Sequence, residues 1–251
     1  MTERKRNMKA RAVWYSLILS FILMVFPVIS GIIVTVNNMD APQRHWVQGA
    51  FMVASIAVPL GVLSIAKIQL SQIGFSKIKK GSMRTILYFI PIIAAKAGFF
   101  FFGFNHNMTA IVALAFFTAA IGLSEEIYFR GMILGRLVRY FSIKQAVLLS
   151  AALFAAVHAS QAFSGEGIII VMLTVVNALI FGMIASELVI LTGSLIPVII
   201  WHALYDFINW IVSVQGSLEI ILIIVQSVIM ITYGAYLWNK LPDKHSYASG
   251  A

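Results

Sequence analysis

The chain has 251 residues, of which 61% are hydrophobic and only 11% are charged. Soluble domains contain about 45–50% apolar and about 25% charged residues. The composition therefore excludes an ordinary water-soluble protein and predicts a polytopic membrane protein with one domain over residues 1–251. The absence of cysteine excludes thiol catalysis, thiolate metal ligands and disulfides.

Eight apolar stretches are close to the roughly 20 residues that a membrane-spanning helix needs. In chain order they cover residues 13–36, 46–66, 85–104, 109–129, 145–163, 168–190, 195–214 and 218–238. Short polar breaks, such as those at 105–107 and 164–167, separate them. Because an open strand cannot satisfy its backbone hydrogen bonds in lipid, we interpret all the stretches as helices. The predicted fold is an all-α bundle of about eight transmembrane helices.

The chain carries 18 lysines and arginines against nine acidic residues, which gives a formal net charge of +9. In a soluble protein this excess would suggest nucleic acid, but in a membrane protein basic residues mark the inner segments. With the N-terminus inside, only Arg44 lies on an outer loop and Lys96 within a span. The other 16 lie on inner segments: Arg4, Lys5, Arg6, Lys9, Arg11, Lys67, Lys77, Lys79, Lys80, Arg84, Arg130, Arg136, Arg139, Lys144, Lys240 and Lys244. We predict a multi-pass protein of the cell membrane, with both termini cytoplasmic and no nucleic-acid partner.

Ionisable side chains within the apolar stretches are candidates for function, because a charge there costs about 2.5–3.5 kcal/mol on insertion scales. They are Lys96, Glu125, Glu126, His158, Glu187, His202 and Asp206. Lys96 can snorkel to the surface or neutralise an acid of the bundle. Glu187 is near the inner end of its helix, where we expect exposure. Asn177 and Gln161 can form hydrogen bonds between helices.

Glu125 and Glu126 are neighbours in the fourth apolar stretch. Adjacent residues of a helix diverge by 100°, so we expect the two carboxylates to face different directions. Glu126 and Arg130 have the i,i+4 spacing of an ion pair, which leaves Glu125 without a local partner and free to point into the bundle. The alternative is that both acids mark the inner end of the span and are solvated there.

Histidines occur in two later stretches. By itself His158 is equally well explained as a packed residue bonded to a carbonyl. His202 and Asp206 are again i,i+4, and Tyr205 and Asn209 share roughly the same stripe. Two histidines and three acids on separate helices form a convergent polar set of the kind found in catalytic sites.

The nucleophile that suits this set is water. The chain has no cysteine, and no G-x-S-x-G turn surrounds Ser124. A carboxylate with a histidine can activate water, and a second histidine with a polar partner can stabilise an oxyanion. Peptide hydrolysis inside the membrane would need these parts.

Three motifs resemble the CPBP family of intramembrane glutamic proteases, which includes the type II CAAX prenyl endopeptidases and bacteriocin-processing or self-immunity proteins. The motifs are Glu125-Glu126-x-x-x-Arg130, Phe154-x-x-x-His158 and His202-x-x-x-Asp206. The resemblance runs from about Ala119 to Asn209, within a protease core of about 109–214.

The resemblance implies a role for each motif residue and no cofactor. Glu125 and His158 would hold and deprotonate the attacking water, and His202 with Asp206 would form the oxyanion side. Site-shaping residues would be Glu126, Arg130 and Phe154. Some members carry Asn at the position of Asp206. An ionised Asp cannot donate a hydrogen bond to an oxyanion, so Asp206 must either be protonated or orient His202.

The predicted depths of Glu125 and His158 in the membrane set a condition for their meeting in one site. Glu125 falls near the inner face, whereas His158 falls toward the outer part of its helix. They can meet only if the fourth helix continues to about Tyr140, which the apolar residues between 130 and 140 permit.

Alternatives remain for the activity. A metalloprotease is the nearest, because Glu and His can ligate zinc, although the chain lacks H-E-x-x-H and we predict no metal. A non-catalytic immunity or scaffold protein, or a proton-coupled transporter, would also use buried acids and histidines. The predicted partners are the bilayer and a membrane-associated or lipidated peptide or protein substrate. The pattern leaves the substrate's identity and the oligomeric state open.

Overall fold

The computed structural model describes residues 3–78, 87–99, 103, 107–160, 167–212 and 217–243. Within these ranges the protein is all-helical, as predicted, and contains no β-strand. The α-helices of these ranges are α1 (Glu3–Val36), α2 (Ala41–Ser55), α3 (Ala57–Ile65), α4 (Ile90–Ala97), α5 (Met108–Glu126), α6 (Gly135–Tyr140), α7 (Ile143–His158), α8 (Ile168–Thr192), α9 (Ile196–Ile211) and α10 (Ser217–Trp238). A π-helical segment, Ile127–Leu134, joins α5 to α6, and 3₁₀ turns occupy Leu70–Ile73 and Leu87–Phe89.

Helical stretches long and apolar enough to cross a membrane number five among the described residues. They are Glu3–Val36, Ala41–Ile65, Met108–Tyr140, Ile168–Thr192 and Ile220–Trp238. Helices α7 and α9 are apolar but have only 16 residues each, and the predicted stretch 85–104 is described only in part. The chain is thus a multi-pass membrane protein. The count of eight spans and the cytoplasmic position of both termini stay predictions.

Some residues singled out from the sequence lie outside the described ranges. They are Lys79, Lys80, Arg84, Gln161 and Lys244. The two polar breaks reach the described ranges at Asn107 and Gly167, which immediately precede helices. Asn107 caps α5, because its side chain accepts a hydrogen bond of 2.9 Å from the backbone nitrogen of Ala110.

The helix that begins at Met108 continues to Tyr140, as predicted, but it is not uniform. All eight residues of the π segment are buried, because α1, α3, α7 and α8 pack around it. A π-helix closes its hydrogen bonds over five residues instead of four. The rotational phase expected for an uninterrupted α-helix therefore does not hold beyond Glu126.

The start of α9 is anchored by a distant loop. The backbone nitrogen of Leu195 donates to the Gly74 carbonyl over 2.8 Å. Ser76 donates to the Gly193 carbonyl over 2.8 Å, and the Ser194 hydroxyl donates to the Ser76 carbonyl over 2.6 Å. Gly193 ends α8 with a positive φ of 69°, a conformation that glycine adopts without strain. These bonds fix where α9 enters the bundle.

Helix α5 packs between α2 and α9, and Gly122 allows its close approach to α9. A Cβ atom at position 122 would lie 2.9 Å from the Ala203 nitrogen and 2.9 Å from the Ile199 oxygen. Both are backbone atoms, so no side-chain rotation can relieve the overlap. The two helices would have to separate.

Gly122→Ala is therefore expected to lower the free energy of unfolding by about 1–3 kcal/mol, because overpacking outweighs the better helix propensity of alanine. The measurement is the thermal unfolding midpoint of the purified protein in detergent. Gly135→Ala is the matched control, since nothing lies within 4 Å of the added Cβ there. A midpoint for Gly122→Ala equal to that of the control would contradict the close contact.

Candidate active site

The seven residues predicted to form the site lie on three helical units and meet in the centre of the bundle. They are Glu125 and Glu126 at the end of α5, Arg130 in the π segment, Phe154 and His158 on α7, and His202 and Asp206 on α9. Packing of α5 on α9, and of the π segment on α7, brings them together.

Glu126 is the centre of a buried polar triad. Its Oε1 lies 2.8 Å from Arg130 Nη1 and 2.8 Å from His202 Nδ1. The side chains of Glu126 and Arg130 are fully buried. A guanidinium only donates hydrogen bonds, and a carboxylate between it and the imidazole accepts from both. His202 therefore carries a hydrogen on Nδ1, and its Nε2 faces the other way.

These contacts include the predicted Glu126–Arg130 pair. The alternative of a solvated Glu126 at the inner end of a span is wrong, because Glu126 is 0% exposed. The placement of Arg130 on an inner basic segment is also wrong, because Arg130 is buried against Glu126 and donates to the Gly182 carbonyl over 3.4 Å. Glu125 and Glu126 approach opposite nitrogens of the His202 ring, which agrees with carboxylates that face different directions.

The Nε2 side of His202 is lined by two further carboxyl groups. Glu125 Oε2 lies 3.9 Å away and Asp206 Oδ2 lies 3.5 Å away. The Glu125 and Asp206 side chains are 13% and 21% exposed, in contrast to the buried Glu126. Glu125 Oε2 has no hydrogen-bond partner among the described residues. The site thus has a closed side at Nδ1 and a more accessible side at Nε2.

His158 presents one ring nitrogen for chemistry. Its Nδ1 lies 2.9 Å from the carbonyl oxygen of Phe154 on the same helix. A carbonyl only accepts, so Nδ1 is the donor and Nε2 of the neutral ring carries the lone pair. The carbonyl bond expected for a merely packed histidine is present, but it occupies Nδ1 only. His158 is half-buried and close enough to interact electrostatically with Asp206 and His202.

Aromatic rings enclose the polar groups. The centroid of the Phe154 ring lies 4.6 Å from that of the His158 ring. The Arg130 guanidinium lies over the Phe154 ring, 4.4 Å from its centroid. Phe181, on α8, packs 4.6 Å from His202 and 4.2 Å from Trp201. Phe181 could not be predicted from the sequence, because an apolar residue on a uniformly apolar helix does not differ from its neighbours. These rings keep His202 in one orientation.

The other intramembrane residues have defined places as well. Lys96 is 2% exposed, so it does not snorkel. Glu187, expected to be exposed, is 0% exposed and sits where α8 meets Gly234 of α10. It is buried because α10 packs on this part of α8. Asn177 accepts a hydrogen bond of 2.8 Å from Ser227, which confirms a bond between helices.

Metal coordination was an alternative for these acids and histidines. Among the described residues, no group of three or more His, Asp or Glu side chains is placed to hold a metal ion.

Comparison with known proteins finds a family model that matches part of the chain. Residues 105–208 match the family model described as "Rce1-like: Type II CAAX prenyl endopeptidase Rce1-like". No curated protein and no solved structure matches the chain. The matched residues contain all three motifs and the seven residues that meet in the bundle. Residues 105–208 are therefore similar to the Rce1-like type II CAAX prenyl endopeptidases, in agreement with the resemblance that the three motifs carry.

Proposed function

We propose that the chain is an intramembrane endopeptidase in which Glu125 and His158 activate a water molecule for hydrolysis of a peptide bond. One observation carries the proposal. Oε2 of Glu125, which has no hydrogen-bond partner among the described residues, faces the Nε2 side of a histidine whose Nδ1 side is fixed by Glu126. The family match supports a protease, and the arrangement supports this chemistry for it.

The attacking water is activated on the accessible side of the site, at Nε2 of His202. The Glu125 carboxylate accepts one hydrogen of the water, and His158 Nε2 is available to accept the other. As the water oxygen attacks the carbonyl carbon, Glu125 takes its proton. The surrounding rings exclude bulk solvent, which strengthens these interactions. The product of this step is a tetrahedral intermediate with a negatively charged oxygen.

His202 is suited to bind that oxyanion. With Nδ1–H donated to Glu126, its Nε2 can carry a second hydrogen and donate it. The fully buried Glu126–Arg130 pair holds the ring in place. Asp206, 3.5 Å from Nε2, is placed to orient this nitrogen. Of the two roles open for Asp206, the distance favours orientation of His202.

The cycle closes with one proton transfer. The proton held by Glu125 passes to the leaving amine nitrogen as the carbon–nitrogen bond breaks. The water oxygen remains on the new carboxyl group, and Glu125 returns to its carboxylate form. No other reactant is required.

The substrate proposed is a membrane-associated or lipidated peptide. Five described helical stretches are apolar enough to lie in a bilayer, so a substrate held at the membrane can reach the site without leaving it. The description of the matching family names a CAAX prenyl endopeptidase, which makes a prenylated peptide the first probe.

The test uses the purified full-length chain in lipid vesicles and an internally quenched peptide that ends in a farnesylated cysteine and three further residues. We expect cleavage that releases the terminal tripeptide, identified by mass spectrometry. A matched peptide without the farnesyl group tests whether the lipid is required. A second comparison looks for membrane peptides that accumulate when Glu125 is replaced. If neither synthetic peptide is cleaved and no such membrane peptide is cleaved by the wild-type chain, the proposal is contradicted.

Chelation separates the glutamic from the metal-dependent mechanism. With water activated by Glu125 and His158, we expect cleavage to persist after treatment with EDTA and with 1,10-phenanthroline, and metal analysis to find no stoichiometric ion. Loss of cleavage that returns with added Zn²⁺ would instead support a metalloprotease. A transporter or immunity protein would show proton-coupled flux, or protection of cells, that survives Glu125→Gln.

A further inference from the structure

Lys96 is a buried cation outside the residues matched by the family model. It lies on α4 and is 2% exposed. Its ammonium group donates a hydrogen bond to Oδ1 of Asn209 on α9. The same nitrogen lies over the Tyr205 ring, 3.7 Å from its centroid, and 4.5 Å from the centroid of Phe99. A lysine held by three neighbours in this way has one fixed position.

That position is against the part of α9 that carries Asp206. Tyr205 and Asn209 flank Asp206 on α9, one residue before it and three residues after it. Lys96 and Asp206, both among the described residues, form no ion pair within 4 Å, and their charges interact over a longer range. On the far side, Gln226 of α10 donates a hydrogen bond to the Tyr205 hydroxyl oxygen. Lys96 thus joins α4 to the part of α9 that carries Asp206.

The buried charges of the site include one cation that is not paired with Glu126. Among the described residues, Lys96 and Arg130 are the buried lysine and arginine side chains. Arg130 is paired with Glu126 at 2.8 Å, so it does not balance Asp206. A partly buried acidic group is stabilised by a nearby positive charge, and Lys96, bonded to Asn209 three residues along α9 from Asp206, is the buried lysine that can supply it.

From these contacts we infer that Lys96 is a positioning residue, which acts through Asp206 to hold His202 Nε2 in its productive orientation. This inference rests on the proposed function, because it assigns His202 and Asp206 to the reaction. It adds a residue of the first half of the chain to a site whose other members lie within residues 105–208. The positive charge, rather than the hydrogen bond to Asn209, is the property that the site uses.

Three substitutions separate the charge from the hydrogen bond. Lys96→Arg keeps both, Lys96→Gln keeps a donor for Asn209 without the charge, and Lys96→Met removes both. We expect kcat for the farnesylated peptide to fall about 10²-fold in the Gln and Met variants, with KM little changed, and to be largely retained in the Arg variant. Lys144→Met is the matched control, because Lys144 also lies over a ring, that of Trp238 at 5.2 Å, but away from the site.

A second background tests whether Lys96 acts through Asp206. In the Asp206→Asn variant, Lys96→Met is expected to cause little further loss of kcat, because the carboxylate through which Lys96 acts is already absent. Equal losses in the two backgrounds, a Gln variant as active as the wild type, or a change in KM alone would overturn the inference.

Thermal unfolding gives a readout that does not depend on activity. It compares the wild type, Lys96→Met, Asp206→Asn and the double variant with both substitutions. Lys96→Met should lower the midpoint more in the wild-type background than in Asp206→Asn. If the wild-type chain cleaves no peptide but this coupling is present, the proposed function fails while the Lys96–Asp206 interaction stands. If cleavage is present and the coupling is absent from both kcat and unfolding, the role of Lys96 fails and the proposed function stands.

Discussion

Glu125→Gln is expected to lower kcat for peptide cleavage by roughly 10²–10⁴-fold, the usual contribution of a general base. Glutamine has the same shape but cannot accept the proton of the attacking water. The Glu125 carboxyl group lies 3.9 Å from His202 Nε2 and is 13% exposed, so the substitution should disturb neither packing nor insertion. The measurement is the single-turnover rate with the quenched farnesylated peptide, together with the thermal unfolding midpoint.

Glu187→Gln is the matched control for this experiment. It makes the same chemical change at another buried glutamate, whose carboxyl oxygens have no hydrogen-bond partner among the described residues and which contacts α10 instead of the site. We expect Glu187→Gln to cleave at the wild-type rate. Cleavage by Glu125→Gln at a rate near that of this control would remove Glu125 from the reaction.

Arg130→Met should produce the largest loss of stability among single substitutions in the site, about 3–5 kcal/mol. The variant leaves the Glu126 carboxylate buried without its cation, and both side chains of the pair are 0% exposed. The loss is measured as the unfolding midpoint in detergent and as the yield of folded protein. A midpoint equal to that of the wild type would contradict the buried ion pair.

The double variant Glu126→Gln with Arg130→Met distinguishes stability from catalysis. Replacing both partners of a buried pair by neutral groups is often nearly neutral for folding, so most of the lost stability should return. Activity should stay about 10²-fold below the wild type, because His202 Nδ1 has lost the charged acceptor 2.8 Å away that supports donation from Nε2. Full recovery of cleavage would show that Glu126 is only structural.

Much of the site could be predicted because it is built from pairs within single helices. Glu126 with Arg130, Phe154 with His158, and His202 with Asp206 each lie four residues apart. Side chains at this spacing meet on a regular helix, and the Glu126–Arg130 pair forms even though Arg130 lies in the π segment. The scarcity of charge in apolar helices then made these pairs visible, and the family match falls on the segment that contains them.

Contacts between helices were not predictable in the same way. The Glu126–His202 bond joins residues 76 positions apart, and the Lys96–Asn209 bond joins residues 113 positions apart. Several of these helices are apolar on every side, so their sequences do not show which face is turned inward. The burial of Glu187 was missed for this reason, since its position along α8 suggested exposure, whereas α10 packs against that position.

Composition alone establishes a helical membrane protein, because in lipid the backbone polar groups must be satisfied within helices. Helical spacing establishes which chemical groups are available within single helices. The packing of the helices places both glutamates against one histidine, brings α5 against α9 at Gly122 and includes a π segment after Glu126. Those features depend on which helices pack together and on the rotation of each about its axis, which distant residues fix jointly.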